Sequence, residues 1–251
     1  MLTSFLFFIA HPTCNVPSFA TVINTKLGKF ACYAKGDIVC NSIITTKTWE
    51  NKVLHVLKKY MKQDTIFVDV GSNVGWYTFH MAQTHKVVAF EPFFKNLMLQ
   101  DTTRCFNPLL ANRIELNRIG LSDKIQRCNL YQIESINIGD THTVCTDEER
   151  YSFKKNKYMR LATTKLDKLD DVASNDLLNA HKVMKIDIEG HEYSMLLGAE
   201  NFFTMGTPPV AVYIEVFQLG ENKPKVVDFF KTKGYSLMSL ESESNYLFIR
   251  F

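Results

Sequence analysis

One segment constrains the fold of this chain more than any other: Ile66-Phe-Val-Asp-Val70, followed by Gly-Ser-Asn-Val-Gly75. The first half is apolar and rich in β-branched residues, as in a strand that is buried on both faces of a parallel sheet. Two glycines then permit a sharp turn, and the residues after Gly75 read as a helix. A buried strand that turns directly into a helix is typical of α/β proteins, so we expect a parallel sheet covered by helices.

The same alternation continues toward the C-terminus. We predict further strands at Lys86–Phe90, Arg113–Ile119, Val183–Ile188 and Val210–Val216. The segments Tyr235–Leu240 and Tyr246–Phe251 flank a polar turn and read as an antiparallel hairpin. The expected fold is therefore a doubly wound, mostly parallel, seven-stranded α/β sheet with a C-terminal hairpin, and ligands bind such sheets at the carboxyl ends of the strands.

The N-terminal part has a different pattern. Residues 20–46 read as short strands separated by glycine turns, so we predict a small β extension over residues 1–47. The main domain would occupy residues 48–251 and begin with a helix over Trp49–Met61, capped by Thr48.

Composition limits the classes of partner. Hydrophobic residues make up 46% of the chain, charged residues 22%, and the net charge is +3, which is too small to indicate DNA binding. No apolar run reaches the roughly 18 residues of a membrane-spanning helix. Nothing in the sequence fixes the oligomeric state.

Two features bear on the cellular compartment. The six cysteines are scattered without any C-x-x-C pair, a pattern that suits a reducing compartment. The first ten residues are apolar but lack the basic start of a signal peptide. We therefore expect a cytoplasmic protein, with the secretory pathway as the alternative if this apolar start is a signal peptide.

The glycine turn is a candidate cofactor loop, formed by Asp69, Gly71, Asn73 and Gly75. Free N–H groups at the start of a helix favour an anion, here the carboxylate of S-adenosylmethionine (SAM), while Asp69 would meet its ammonium group. A dinucleotide site would need glycine at position 73, so NAD is disfavoured. A turn without any ligand remains the alternative.

Two more positions complete the predicted cofactor site. Glu91 ends the next strand, where a carboxylate accepts hydrogen bonds from both ribose hydroxyls of a nucleoside. Ser122 and Asp123 follow the third strand and would reach the adenine amino group, although aspartates in loops more often cap turns.

The candidate catalytic residues lie around the fourth strand. Lys185, Asp187 and Glu189 alternate along the chain and so share one face, as either an ion-pair network or a polar wall of an active site. Gly190 then presents His191, our candidate general base, unless it only caps the next helix. Glu215 ends the fifth strand and is a candidate substrate contact. A magnesium site on these carboxylates lacks an apparent third ligand, so we predict no metal.

Five segments together resemble the FkbM family of methyltransferases. They are Val68–Thr78, Ala89–Pro92, Gly120–Asp123, Thr164–Leu169 and the block Lys185-Ile-Asp-Ile-Glu-Gly-His-Glu192. The resemblance implies a Rossmann-like class I methyltransferase fold with a reversed last strand, SAM as cofactor, and O-methylation of sugars or natural products. The segment Gly139–Met159 is longer than the family core implies and reads as a substrate-specific insert.

The leading interpretation is a SAM-dependent O-methyltransferase acting on a small molecule or glycan. Methylation of nucleic-acid bases is disfavoured because the chain's Pro-Pro lies in Thr207-Pro-Pro-Val210, before the fifth strand and without the aromatic residue of that motif. RNA ribose methylation is less favoured but stays open. Further alternatives are a SAM-binding regulatory or scaffold protein without catalysis, and a nicotinamide oxidoreductase.

Overall fold

The computed structural model describes residues 13–133, 137–139, 141–150, 156, 158–238 and 244–251. The chain starts with β1 (Ala20–Thr25), β2 (Gly28–Tyr33), α1 (Ile38–Thr46) and α2 (Asn51–Lys58). Next come β3 (Ile66–Val70), α3 (Trp76–Ala82), β4 (Val87–Phe90), α4 (Phe94–Phe106), α5 (Pro108–Ala111) and β5 (Ile114–Asn117). The middle contains β6 (Gly120–Leu121), β7 (Gln126–Ile133), β8 (Thr141–Val144), β9 (Tyr158–Asp167), α6 (Leu169–Val172) and α7 (Asn175–Asn179). The last third contains β10 (Lys182–Ile186), α8 (Glu192–Leu197), β11 (Ala211–Glu215), a 3₁₀ helix (Phe217–Asn222), α9 (Lys223–Thr232), β12 (Tyr235–Met238) and β13 (Asn245–Arg250).

Seven strands form the central sheet in the order β12-β13-β11-β10-β3-β4-β5. The pairs from β11 to β5 are parallel, whereas β13 runs antiparallel to both β11 and β12. The predicted α/β fold, the seven strands and the C-terminal hairpin are confirmed, and the sheet is mixed because β13 is reversed. The residues of the predicted turn between β12 and β13 lie largely outside the described part of the chain.

Hydrophobic clusters cover both faces of the sheet. Phe67 and Val183 point into one cluster, which also contains β2 and α3, while Val68 and Met184 point into the other, beneath α8 and α9. Successive strand residues face opposite sides, so a continuous apolar run is needed to bury both faces. This burial explains why β3 was recognisable from its sequence.

The N-terminal region differs from the prediction of strands throughout residues 20–46. Residues 20–33 form the hairpin of β1 and β2, but residues 38–46 form helix α1. Asp37 caps this helix by accepting a hydrogen bond from the backbone N–H of Cys40, 2.7 Å away. The predicted cap at Thr48 is also wrong, because α2 begins at Asn51 with Glu50 at the cap position.

A second sheet, which the sequence analysis did not predict, has the order β6-β9-β7-β8. Strand β8 belongs to the predicted insert and pairs antiparallel with β7. The loop before β8 contacts the N-terminal region: Gly139 donates its backbone N–H to Asp37 at 2.8 Å, and Ile138 donates to the Gly36 carbonyl at 2.9 Å. Two segments far apart in sequence therefore meet over the same edge of the central sheet.

Four of the six cysteines are paired. Disulfides join Cys14 to Cys105 and Cys128 to Cys145, whereas Cys32 and Cys40 are buried free thiols. The prediction of a reducing compartment rested on reading all six cysteines as scattered single residues. That reading is wrong, because four of them form disulfides. Pairs that are distant in sequence leave no local spacing motif to detect. Among the described residues, no helix is both long enough and apolar enough to cross a membrane.

Candidate active site

A cavity of about 290 Å³ opens at the carboxyl edge of the central sheet. Its floor is the turn after β3 together with the ends of β4, β10 and β11, and its other walls come from residues 38–50 and from the loop that leads into β8. The cavity lies where an open parallel sheet is expected to bind a ligand, because the strand order reverses between β3 and β10. We take this cavity as the candidate active site.

Both glycines of the turn after β3 lie too close to neighbouring residues to carry a side chain. Gly71 has a positive φ of 80°, and a Cβ atom there would lie 1.9 Å from the backbone oxygen of Asp187. A Cβ on Gly75 would lie 2.8 Å from the Phe79 ring. Glycine is therefore needed at position 71 because the turn after β3 lies against the end of β10.

The turn's N–H groups are also used internally. Those of Gly71 and Ser72 both donate to the Phe90 carbonyl at 3.0 Å, and that of Asn73 donates to Glu91 Oε2 at 2.8 Å. These three N–H groups therefore already have acceptors within the protein, and an anion site at this turn stays a prediction for the N–H groups at the start of α3, which begins at Trp76. Asn73 still lines the cavity, and its side-chain Oδ1 has no hydrogen-bond partner among the described residues.

Glu91 occupies the predicted position at the end of β4 and lines the cavity. Besides the Asn73 contact, its Oε1 accepts from the Phe93 N–H at 2.8 Å and from Asn96 Nδ2 at 3.3 Å. Tyr33 in turn donates its hydroxyl proton to Asn96 Oδ1 at 2.8 Å. Burial raises the pKa of Glu91 to about 7, although these hydrogen bonds oppose the shift. The carboxylate is thus held in one orientation before any ligand arrives.

Asp69 does not line the cavity. It is fully buried, and its Oδ2 accepts a hydrogen bond from Thr78 Oγ1 at 2.6 Å, while Oδ1 has no partner in the described part of the chain. Burial raises its pKa, and Lys185, its register partner on β10, opposes that shift. The predicted contact between Asp69 and a cofactor ammonium is therefore wrong, because the side chain points into the layer beneath α3.

An ion pair and a carboxyl pair lie at the ends of β10 and β11. Lys185 Nζ lies 2.9 Å from Asp187 Oδ2, and the Lys185 side chain is only 4% exposed. Burial alone would lower the pKa of Lys185, but Asp187 and Asp69 outweigh it and raise the pKa. Glu215 hydrogen-bonds to Asp187, and burial, together with repulsion from Asp187 and Glu192, raises its pKa to about 8.

His191 lines the cavity, but its side chain does not cap α8. The Glu192 side chain makes the hydrogen bonds near the start of α8 instead. Its Oε1 accepts from the backbone N–H groups of Ile188 and Gly190 at 2.9 and 3.2 Å. The ring Nε2 of His191 lies 3.0 Å from Ser122 Oγ. Burial lowers the pKa of His191, while Glu149 and Asp123 oppose the shift.

Ser122 and Asp123 are therefore next to the candidate base. Neither residue lines the cavity, so the predicted contact with adenine has no support in this geometry. Glu189 does line the cavity, and Gln218 donates to its Oε2 at 2.5 Å.

Sequence reasoning missed several cavity residues. Trp49 and Glu50 come from the segment before α2, and Tyr77 Oη donates to Glu50 Oε2 at 2.6 Å. Asn96 and Asn137 also line the cavity. Tyr77 lies two positions after Gly75, close enough to the glycine motif for the sequence to indicate it. Glu50 and Asn137 are far from that motif in sequence, so no local pattern indicates them.

Comparison with protein families identifies the domain. The model of the methyltransferase FkbM domain matches residues 69–237, about two thirds of the chain. This chain belongs to the FkbM methyltransferase family. The match spans the glycine turn, Glu91, the β10 end and β11, so these elements belong to the FkbM domain. The region from β1 to α2 lies before the match. No curated protein sequence matches the chain.

A solved structure of an FkbM methyltransferase shares the fold, and two further solved structures show weaker similarity. The FkbM methyltransferase from Methylobacillus flagellatus KT superposes with a TM-score of 0.52 at 17% identity, over 84% of this chain and 52% of that one. This chain thus spans about half the length of that protein. A precorrin-6y C5,15-methyltransferase from Geobacter metallireducens GS-15 has a TM-score of 0.42 at 13% identity, over 82% of this chain and 89% of that one. An rRNA methylase from Streptococcus thermophilus has a TM-score of 0.44 at 14% identity, over 80% and 95%.

Proposed function

We propose that this FkbM-family protein transfers a methyl group from SAM to a hydroxyl group of a small molecule or glycan. The observation that carries the cofactor assignment is Glu91, a cavity carboxylate fixed by three donors at the end of β4. A nucleoside ribose offers two adjacent hydroxyl donors, and a pre-oriented carboxylate accepts both without losing side-chain entropy on binding.

The charges of the cavity also fit SAM. SAM supplies a methyl group on a positively charged sulfur and carries an ammonium group. Asp187, which lines the cavity, would take the role that the sequence had given to Asp69 and would hold the positively charged ammonium group of SAM. The hydrogen-bonded Asp187–Glu215 pair adds a further acceptor at the same edge of the sheet.

His191 is the proposed general base. It lines the same cavity as Glu91 and Asp187, and burial keeps its imidazole neutral near pH 7, the form that accepts a proton. The competing helix-capping role is unsupported, because Glu192 makes the capping contacts.

The lining of the cavity disfavours a polyanionic acceptor. Its carboxyl groups outnumber its cations: Glu50, Glu91, Asp187, Glu189 and Glu215 stand against Lys185. This lining offers an RNA phosphate no cluster of lysine and arginine, which nucleic-acid sites typically present. An uncharged or cationic acceptor with a free hydroxyl suits the site better.

Calorimetry with SAM, S-adenosylhomocysteine and NAD tests the cofactor assignment. We expect binding of the first two and none of NAD. Glu91→Gln keeps the size of the side chain but removes its charge, and should weaken SAM binding about tenfold to a hundredfold, since a hydrogen bond to a charged group contributes about 1.5–3 kcal/mol. The matched control, Glu115→Gln, changes an exposed carboxylate on β5 and should bind as wild type does.

The acceptor class is tested separately. The protein is incubated with isotope-labelled SAM and fractionated small-molecule, glycan and RNA extracts, and each fraction is analysed by mass spectrometry. Gain of one labelled methyl group on a hydroxyl of a small molecule or glycan supports the proposal. Labelling confined to RNA would overturn the acceptor assignment while leaving the cofactor assignment intact.

A further inference from the structure

Three polar groups surround the hydroxyl of Ser122, and they determine which nitrogen of His191 carries its proton. We propose that Asp123 and Ser122 are positioning residues that hold His191 in the Nε2–H tautomer, so that Nδ1 receives the proton of the acceptor hydroxyl. This proposal rests on the proposed function, in which His191 is the base. It replaces the adenine contact expected from the sequence, because neither residue lines the cavity.

The direction of each hydrogen bond follows from the groups involved. Ser122 Oγ lies 3.0 Å from Asp123 Oδ1, 3.0 Å from His191 Nε2 and 3.3 Å from Gln126 Nε2. A hydroxyl has one proton to donate and two lone pairs to accept with. The carboxylate of Asp123 only accepts and the amide nitrogen of Gln126 only donates, so the hydroxyl proton goes to Asp123. The remaining contact must run from His191 Nε2–H to Ser122 Oγ.

Burial makes this arrangement selective. Ser122 is 0% exposed, so bulk water does not compete for its lone pairs or its proton. In the opposite tautomer Nε2 carries a lone pair, so this lone pair would face a lone pair of Ser122 Oγ, or the hydroxyl proton would turn to Nε2 and leave the Asp123 carboxylate without its donor. An unsatisfied buried polar group costs about 1–3 kcal/mol. The neutral imidazole therefore keeps its proton on Nε2 and its lone pair on Nδ1.

The reaction then balances around Nδ1. The acceptor oxygen forms the new bond to the methyl carbon, the electron pair of the sulfur–methyl bond stays on sulfur, and the hydroxyl proton passes to Nδ1. The resulting imidazolium faces two carboxylates, Asp123 through Ser122 and Glu149 from the insert. No hydrogen-bond partner of Nδ1 is present among the described residues, so this nitrogen is available to a ligand in the cavity.

Nitrogen NMR of the protein without any ligand tests the tautomer directly. The protein is labelled with ¹⁵N-histidine, long-range ¹H–¹⁵N spectra are recorded across the pH range, and His191→Gln identifies the signals of this ring among the seven histidines. Wild type should show a protonated Nε2 and an unprotonated Nδ1 above the titration midpoint. A ring protonated on Nδ1, or an even mixture of tautomers, would overturn the proposal.

Variants separate the charge of Asp123 from its hydrogen bond. Asp123→Asn still offers a carbonyl acceptor to Ser122, so the tautomer should persist while the titration midpoint of His191 falls through loss of a negative charge. Asp123→Ala removes the acceptor, frees the hydroxyl proton to turn toward His191, and should shift the ring toward Nδ1–H. Asp64→Asn, an exposed turn position, is the control and should change neither quantity.

These outcomes are independent of the proposed cofactor and acceptor. If Asp123→Ala and Asp123→Asn both leave the tautomer and the midpoint at their wild-type values, the positioning role is wrong even when SAM binds. If the ring carries its proton on Nε2 and responds to the Asp123 variants as expected, but SAM does not bind in calorimetry, the proposed function fails. The positioning of His191 by Ser122 and Asp123 then still holds.

Discussion

The ammonium group of Lys185 lies 2.9 Å from Asp187 Oδ2 and is the buried cation between two carboxylates, since Asp69 is its register partner on β3. This places one positive charge where the turn after β3, the end of β10 and the cavity meet. Lys185 therefore contributes to the stability of the sheet edge on which the proposed cofactor site is built.

Replacing Lys185 by methionine should lower the free energy of unfolding by about 3–5 kcal/mol, because it leaves the buried carboxylate of Asp69 and the partly exposed carboxylate of Asp187 without their cation. Urea denaturation measures the effect. Lys165 makes a similar contact with Asp167 but is 53% exposed, so Lys165→Met should cost no more than about 1 kcal/mol. Equal losses in the two variants would contradict the role assigned to Lys185.

Gly71→Ala should destabilise the fold through backbone geometry and crowding. Both Gly71 and Gly234 have a φ near +80°, but nothing lies within 4 Å of a Cβ on Gly234. A non-glycine residue in this region costs about 1–3 kcal/mol, which is the loss expected for Gly234→Ala. At Gly71 the contact with the Asp187 carbonyl should add roughly 1–3 kcal/mol. Thermal or urea unfolding of the two alanine variants compares them, and the crowding argument fails if Gly234→Ala is the more damaging.

SAM affinity should depend on pH through Glu91. Its pKa in the folded protein is raised to about 7, so the carboxylate that accepts the ribose hydrogen bonds is progressively protonated as the pH falls through that value. We expect the affinity to drop by up to about tenfold per pH unit below 7. Calorimetry between pH 5 and 8 measures it, and the Glu91→Gln variant should bind weakly with a smaller pH dependence over this range. A wild-type affinity that is constant from pH 5 to 8 would argue against the ribose contact.

Glu192 should make the fold less stable as the pH rises. Burial raises its pKa from 4.5 to about 7, so the protonated form is favoured on folding, and this contribution is complete below pH 4.5 and lost as the pH rises through 7. Glu192→Gln retains an oxygen acceptor for the Ile188 and Gly190 N–H groups without the charge. Compared with wild type, this variant should gain up to about 3 kcal/mol at pH 8 and little at pH 4.5. Urea denaturation at both pH values decides the matter, and an equal effect at the two would refute the ionisation argument.

The disulfides predict a definite thiol count. Denatured, non-reduced protein should react with two equivalents of a thiol reagent, from Cys32 and Cys40, and reduced protein with six. Disulfides of this kind persist in oxidising environments, so the count is made on protein purified without a reductant. Loss of the Cys14–Cys105 bond by the double serine substitution should destabilise the protein by about 2–4 kcal/mol. A count of six thiols before reduction, in protein purified without a reductant, would rule out both disulfides.

The sequence predicted those parts of the fold that depend on local pattern. Strand β3 and its glycine turn were recognisable because a buried strand requires an uninterrupted apolar run. Glu91 was recognisable because its distance from the turn is set by one helix and one strand. The prediction for Asp69 failed for a related reason. Asp69 lies within the apolar run of β3, and this pattern does not indicate whether a charged strand residue faces the cavity or the protein interior.

Contacts between distant segments could not be predicted. Ser122 and His191 are 69 positions apart, and Cys14 and Cys105 are 91 apart, so no spacing rule links either pair. The second sheet was missed because β8 lies within the insert and β9 begins at its end, and the insert was read only as an addition to the family core. The helical cap at Asp37 was missed because a glycine turn precedes it and dominated the local pattern.

The carboxylate of Asp37 joins the start of α1 to Gly139 across a span of 102 positions. A chimera that takes only the insert from a relative would place a foreign loop against Asp37. A chimera that takes only the N-terminal region would remove Asp37, the acceptor of the Gly139 N–H group. Both pieces therefore have to be exchanged together when the acceptor preference of this domain is redesigned. The Asp37–Gly139 contact thus marks the two segments that protein engineering should treat as a single module.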